Sequence, residues 1–131
     1  MKSTLLRLAI VLPMLLAACA NPPPIASGQL REVPDQPLPP YEIHEDCVAM
    51  VPGDRLEYSF RTQKPVTFNI HYHEGKVVVM PVTREAVSQD EGTFEPLTAQ
   101  DYCLMWEAGA QDTMLEYRVR LIKAKPRSIS R

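Results

Sequence analysis

Long hydrophobic stretches are missing from this chain. Its sustained apolar run, Leu8 to Leu16, is too short to span a bilayer stably. No glycine-rich phosphate loop is present, which removes the usual nucleotide cradle. Cysteine is scarce: there are three, and none has the close spacing of a redox dithiol or a zinc knuckle. Neither sign of charge dominates, and a formal net charge of -2 argues against a general affinity for nucleic acid. Ser59 and Ser88 lack a nucleophile-elbow context, and the carboxylates are scattered without a pair that flanks a pocket. The chain therefore reads as non-enzymatic. It has no internal repeat, and between its apolar segments no helical periodicity.

What is present begins with an address. Lys2 and Arg7 flank the start of the apolar segment, and small residues lead up to Cys19, the three-part layout of an export signal. Leu16-Ala17-Ala18-Cys19 resembles the lipobox of bacterial lipoproteins. The resemblance implies cleavage before Cys19, diacylation of its sulfur and acylation of the new amino group, because durable anchoring takes more than one chain. Ala20, rather than Asp, at the second mature position is similar to the outer-membrane sorting class rather than the inner-membrane retention class. The expected location is the cell envelope, lipid-anchored, at the outer membrane rather than the inner.

Composition then divides the chain into a signal peptide at residues 1–18, a lipidated proline-rich tether at 19–40, a β domain at 41–125 and a basic tail at 126–131. Pro22-Pro23-Pro24, Pro34, Pro37, Pro39 and Pro40 predict a semi-extended spacer of polyproline II character. Arg118, Arg120, Lys123, Lys125, Arg127 and Arg131 crowd the C-terminal end, where contact with anionic lipid or polysaccharide competes with simple solvation, the ordinary state of such a run. If partner contact is the function, replacing Lys123, Lys125 and Arg127 by Ser is expected to weaken envelope association while leaving the melting temperature nearly unchanged.

A domain this small has a marginal core and benefits from a staple. With Cys19 assigned to lipid, Cys47 and Cys103 remain as an even pair in an oxidising compartment, so a disulfide is expected. Its chain-entropy contribution is about 4 kcal/mol.

From Glu42 onward the apolar residues follow a period of two. Leu56, Tyr58 and Phe60 alternate with polar residues, as do Val66, Phe68, Ile70 and Tyr72, with Gln63-Lys64-Pro65 as a turn signal between them. His73-Glu74-Gly75 predicts a tight reversal into Val77 to Val82, by a two-residue primed turn or by a type I turn with a glycine bulge, and the register stays open. Thr83 to Ser88 can hold a helical turn, Ser88 to Gly92 reads as a loop and Thr93 to Glu95 as a short strand. Tyr102 to Trp106 reads as a buried strand, and Ala108 to Asp112 as a connection into a closing strand at Leu115 to Leu121. The fold expected is all-β, a small antiparallel β-sandwich with one intrachain disulfide. Trp106, Tyr58, Phe60, Tyr72 and Tyr117 are its aromatic core, and Met50, Met105 and Met114 are packing residues.

Cys47, Pro52-Gly53-Asp54, Tyr58-Ser59-Phe60, Gly92-Thr93-Phe94 and Tyr102-Cys103-Leu104-Met105-Trp106, with the closing strand, resemble the Golgi-dynamics (GOLD) β-sandwich over about Ile43 to Lys123. The resemblance implies an extracytoplasmic interaction module without catalytic residues, in which an early cysteine pairs with a late one. Asn69, His71 and His73 depart from the pattern.

Those three are the constellation with chemical potential. Residues two apart on a strand share a face, so His71 and His73 are candidate ligands for zinc or copper, with Glu74, His44 or Asp46 as a third donor and Met80 as a thioether that favours cuprous ion. An ordinary polar strand face is the competing reading. Two functions follow: a membrane-anchored lipoprotein whose domain binds an envelope protein or polysaccharide, or a periplasmic metal-binding lipoprotein. In the first no cofactor is expected, and the domain should fold without metal.

Overall fold

The computed structural model describes residues 23–126; the leader, Cys19 and residues 127–131, including Arg127, lie outside the described residues. Six strands follow in order: β1 (Leu30–Leu38), β2 (Ile43–Met50), β3 (Arg55–Glu74), β4 (Val77–Phe94), β5 (Gln100–Ala108) and β6 (Thr113–Ile122). All pairings are antiparallel. β3 organises them. Its first half pairs with β6, which carries β1, its second half with β5, which carries β2, and β4 runs along its other edge. One sheet thus curls until its halves face each other, and the expected all-β fold with its Cys47–Cys103 disulfide is what forms.

The curl depends on a corner that reads in the sequence as a turn. Gln63-Lys64-Pro65 lies inside β3, where the ladder to β4 slips between Arg61 and Val66. Proline removes a donor and pushes the preceding residue toward extended backbone, so the strand bends without reversing. The Lys64 N–H donates to the Thr113 hydroxyl at 2.8 Å, and the Thr62 hydroxyl donates to the Lys64 carbonyl at 2.7 Å. Eight residues of straight strand would span roughly 26 Å. Across this corner the Phe60 and Phe68 rings have centroids only 4.7 Å apart.

The core lies in the space so enclosed. Leu56, Phe60, Phe68 and Ile70 of β3 meet Leu104 and Trp106 of β5 and Leu115 and Tyr117 of β6. Trp106 and Tyr117 sit on strands that do not pair with each other, yet their centroids are 4.6 Å apart, joining the two halves. The five aromatics expected in the core are buried or partly buried there. Met50 is buried and Met105 and Met114 are half-buried.

The sheet begins earlier than the proline content suggests. β1 occupies much of the stretch expected to be a tether, with Leu38 buried. Its prolines are tolerated because β1 is an edge strand, and its register shifts between Val33 and Gln36, around Pro34. β4 differs too: Thr83 to Gly92 is neither helical turn nor loop but continuous strand. Polar residues are natural there because, among the described residues, β4 pairs with β3 alone, and its irregularity is confined to register shifts and to Ala86 at φ 52°. Gly92 lies opposite Tyr58, where a Cβ would stand 2.8 Å from the phenolic oxygen, so the ring crosses the strand only over glycine. The β3–β4 reversal is the two-residue turn Gly75-Lys76 between the paired Glu74 and Val77; Gly75 has φ 62° and Lys76 does not share it, the type II′ pattern.

Lys123 is not a free surface charge. It pairs with the buried Asp54, whose carboxylate also accepts the Val51 N–H at 2.9 Å and the Ala124 N–H at 2.8 Å. Burial alone would raise the Asp54 pKa, but the Lys123 bond, the two backbone donors and the Lys123 charge together hold it below the usual value. The expectation that Lys123 is replaceable at no cost is thereby corrected: an anion this enclosed needs its partners. Asp54→Ala should cost about 2 kcal/mol at neutral pH in urea unfolding. A depressed carboxylate pKa contributes stability above the unfolded value, about 3.9, that is lost as pH falls through the folded one, so the gap between variant and wild type should close in acid. A gap independent of pH would remove Asp54 ionisation from the account.

Candidate functional site

The outer face of the half formed by β2, β5 and the second half of β3 carries an unusual polar cluster. Cys47 and Cys103 are directly opposite across β2 and β5, with Cα atoms 3.9 Å apart and the sulfurs bonded. His71 is opposite Cys103 on the other side of β5, so one row runs His71, Cys103, Cys47. The adjacent row runs Asn69, Met105, Glu45. Since alternate residues share a face, Asn69, His71 and His73 are on the disulfide's side of the sheet with Glu45.

This face is not simply solvated. Asn69 is 2% exposed and His71 4%, while His73 is exposed. The His71 Nδ1 lies 2.8 Å from the Asn69 Oδ1 and its Nε2 lies 3.6 Å from the Glu45 carboxylate. The bond to an amide oxygen assigns the proton of the neutral ring to Nδ1, which leaves Nε2 as a lone-pair donor facing Glu45. Burial holds the His71 pKa below its ordinary value, against the opposing pull of Glu45 and with a further push from His73. The His71 and His73 rings stand edge to face with centroids 5.2 Å apart.

The third donor differs from those the sequence suggested. His44 and Asp46 are on the opposite face of β2 and point into the core, and Glu74 alternates away from His73 at the end of β3. Glu45 is the carboxylate that reaches His71. Among the described residues, the set of potential ligand atoms lying within 4.8 Å of one another is Glu45, Cys47 and Cys103, with both sulfurs held in the disulfide. A signal for Glu45 existed: once Cys47 is paired across the sheet, the residue two before it must share the disulfide's face.

His44 and Asp46 belong to a second network between the two halves. Asp46 is paired with the Arg31 guanidinium and accepts the Tyr117 hydroxyl at 3.1 Å; the His44 Nε2 is 3.1 Å from the same hydroxyl. Because Tyr117 donates to Asp46, its oxygen accepts from the His44 Nε2–H. Burial pushes the Tyr117 pKa far up, and the Asp46 charge adds to it; burial lowers that of His44, against Asp46 and Glu45. This network is internal and structural.

Ser59 lines an open cleft of about 570 Å³ on the outer face of the other half, with Arg61, Glu91, Glu116 and Arg118. The cleft's polar lining is mainly charged, with Asp90 beside Glu91.

Leu30, Ile43, Val51 and Leu97 are exposed singly, and two further exposed apolar features stand out. At the start of β4, Val77, Val78 and Met80 are 60%, 43% and 50% exposed beside the β3–β4 turn. Tyr41 is 70% exposed and has φ 61°, in a turn closed by the Glu42 N–H donating to the Pro39 carbonyl at 3.1 Å. Glycine is the usual residue at such an angle. Neither feature has a sequence signature, because exposure of an apolar strand end depends on which edge stays unpaired.

No protein-family model and no curated protein matches the sequence. A de novo designed double-stranded β-helix aligns with 71% of this chain and 97% of its own at 22% identity, with a TM-score of 0.37. The fold is similar to that of PliG from Aeromonas hydrophila, a periplasmic lysozyme inhibitor of g-type lysozyme, with a TM-score of 0.53 at 10% identity over 75% of this chain and 93% of that one.

Proposed function

We propose that the protein is a non-enzymatic lipoprotein of the cell envelope, held at the outer membrane by acylated Cys19, whose curled sheet binds another envelope protein. The observation that carries this reading is the exposed Val77, Val78 and Met80 at the tip of the β3–β4 ribbon. Apolar side chains on a strand with an unpaired edge offer a partner both buried area and main-chain hydrogen bonds. The interaction role implied by the GOLD resemblance supports it, as does the fold shared with a periplasmic protein that inhibits another protein.

A photo-crosslinking residue at Val78 in the lipidated protein tests the proposal. It should give one discrete adduct in the outer-membrane fraction, lost when Val77 and Met80 are changed to Ser, while thermal unfolding stays close to wild type because these side chains are already exposed. Cys19→Ser should release the protein from membranes. Purified g-type lysozyme is the first defined partner to titrate. Adducts no more discrete than those from a probe at the solvated Glu116 would overturn the binding surface.

A further inference from the structure

We propose that Cys47, Cys103, Glu45 and His71 form a redox-gated zinc site, closed while the cysteines are bonded and opened when a dithiol reductant cleaves the disulfide. Cys47 and Cys103 are adjacent across β2 and β5, and their sulfurs lie within 4.8 Å of a Glu45 carboxylate oxygen. The His71 Nε2 stands 3.6 Å from Glu45. The mutually close donors are the two sulfurs and the carboxylate, and the His71 nitrogen, beside Glu45 but outside that 4.8 Å group, joins them as the fourth donor of a tetrahedral zinc set once reduction frees the cysteine side chains to move.

The second observation is the buried His71 itself. The Asn69 Oδ1, also buried, accepts the Nδ1–H at 2.8 Å, so in the neutral ring Nε2 turns its lone pair toward a carboxylate. Two acceptors facing each other are reconciled by a proton on Nε2 or by a metal cation between them, and the metal competes for the position the proton would hold. Fixing the remote ring nitrogen is how proteins orient a metal-binding imidazole. Cys47 is exposed, so a thiolate can reach its sulfur.

The reaction balances. The attacking dithiol forms a mixed disulfide and then its own internal disulfide, transferring two electrons and two protons to the cysteines. Zinc then displaces both thiol protons to solvent and binds the thiolates. This site differs from the His71 and His73 pair expected from spacing, because the sulfurs supply two of the four ligands and His73 none.

The test reduces the folded protein with a metal-neutral phosphine and titrates zinc against a chromophoric chelator. The reduced form should bind one zinc ion per chain at least about 100-fold more tightly than the oxidised form, a difference of about 2.7 kcal/mol. Cobalt substitution should give sulfur-to-metal charge-transfer absorption. Asn69→Ala should weaken zinc by about 10- to 100-fold, and His71→Ala and Glu45→Gln by more. Circular dichroism tracks folding throughout; if reduction loosens the sheet, zinc should restore the native spectrum. Equal affinity of both redox forms, affinity unchanged in His71→Ala, failure of zinc to restore a loosened fold, or binding that persists in denaturing urea would each overturn the site.

Discussion

Asp46→Ala is expected to lower the unfolding free energy by about 3–5 kcal/mol, because it removes one partner of a buried ion pair and leaves the other behind. The Arg31 guanidinium has only 13% side-chain exposure and, among the described residues, only the Pro23 carbonyl as an acceptor besides Asp46. The Tyr117 hydroxyl loses its acceptor as well, and with it the arrangement that makes His44 a donor. Tyr117→Phe removes the middle of the chain at the smaller cost of about 1–2 kcal/mol, since Asp46 keeps Arg31. Replacing both charges, Arg31→Met with Asp46→Leu, should recover much of the loss, because the penalty is that of a stranded cation rather than of a missing attraction. Denaturant unfolding of the three variants decides the matter. If the double variant is as unstable as Asp46→Ala, desolvated charge is not the cause.

Periodicity made the interior of this fold legible and left its edges obscure. The two alternating halves of β3 and the whole of β6 could be read because one face of each meets the core, and a period of two is then imposed by the pleat. β1 and β4 are edge strands whose outer sides meet solvent, so prolines and polar residues are tolerated and the local signal becomes that of linker, turn or loop. Pro65 illustrates the ambiguity. Its ring removes the same donor in a turn as in a bent strand, and only the packing of Phe68 on Phe60 decides between them. The polar cluster was half legible for a related reason. Asn69, His71 and His73 share a face by spacing alone, whereas Glu45 joins them only through the register of β2 on β5, which the cysteine pair specifies. The network between the two halves of the sheet depends on Arg31, in a stretch whose prolines pointed to a tether, and on side chains that meet only when the sheet curls.

Cys47→Ala with Cys103→Ala should cost about 4 kcal/mol, a large part of a small domain's stability, while leaving the strand order unchanged. The two cysteines are 56 residues apart in sequence and directly opposite across β2 and β5 in the fold. Most strand pairings here join distant parts of the chain. β2 meets β5 only after β3 and β4 have been laid between them, so the unfolded chain has much freedom to lose before that pairing forms. The disulfide removes part of that freedom in advance. Its loss should therefore act chiefly on the unfolded state: a lower urea midpoint and a larger m-value, as a less constrained chain exposes more surface, with little change in near-ultraviolet circular dichroism of the folded protein. An unchanged m-value with altered aromatic dichroism would point instead to local damage around Tyr102, Leu104 and Trp106 on the reverse face of β5, and the stabilisation would then come from native packing rather than from chain entropy.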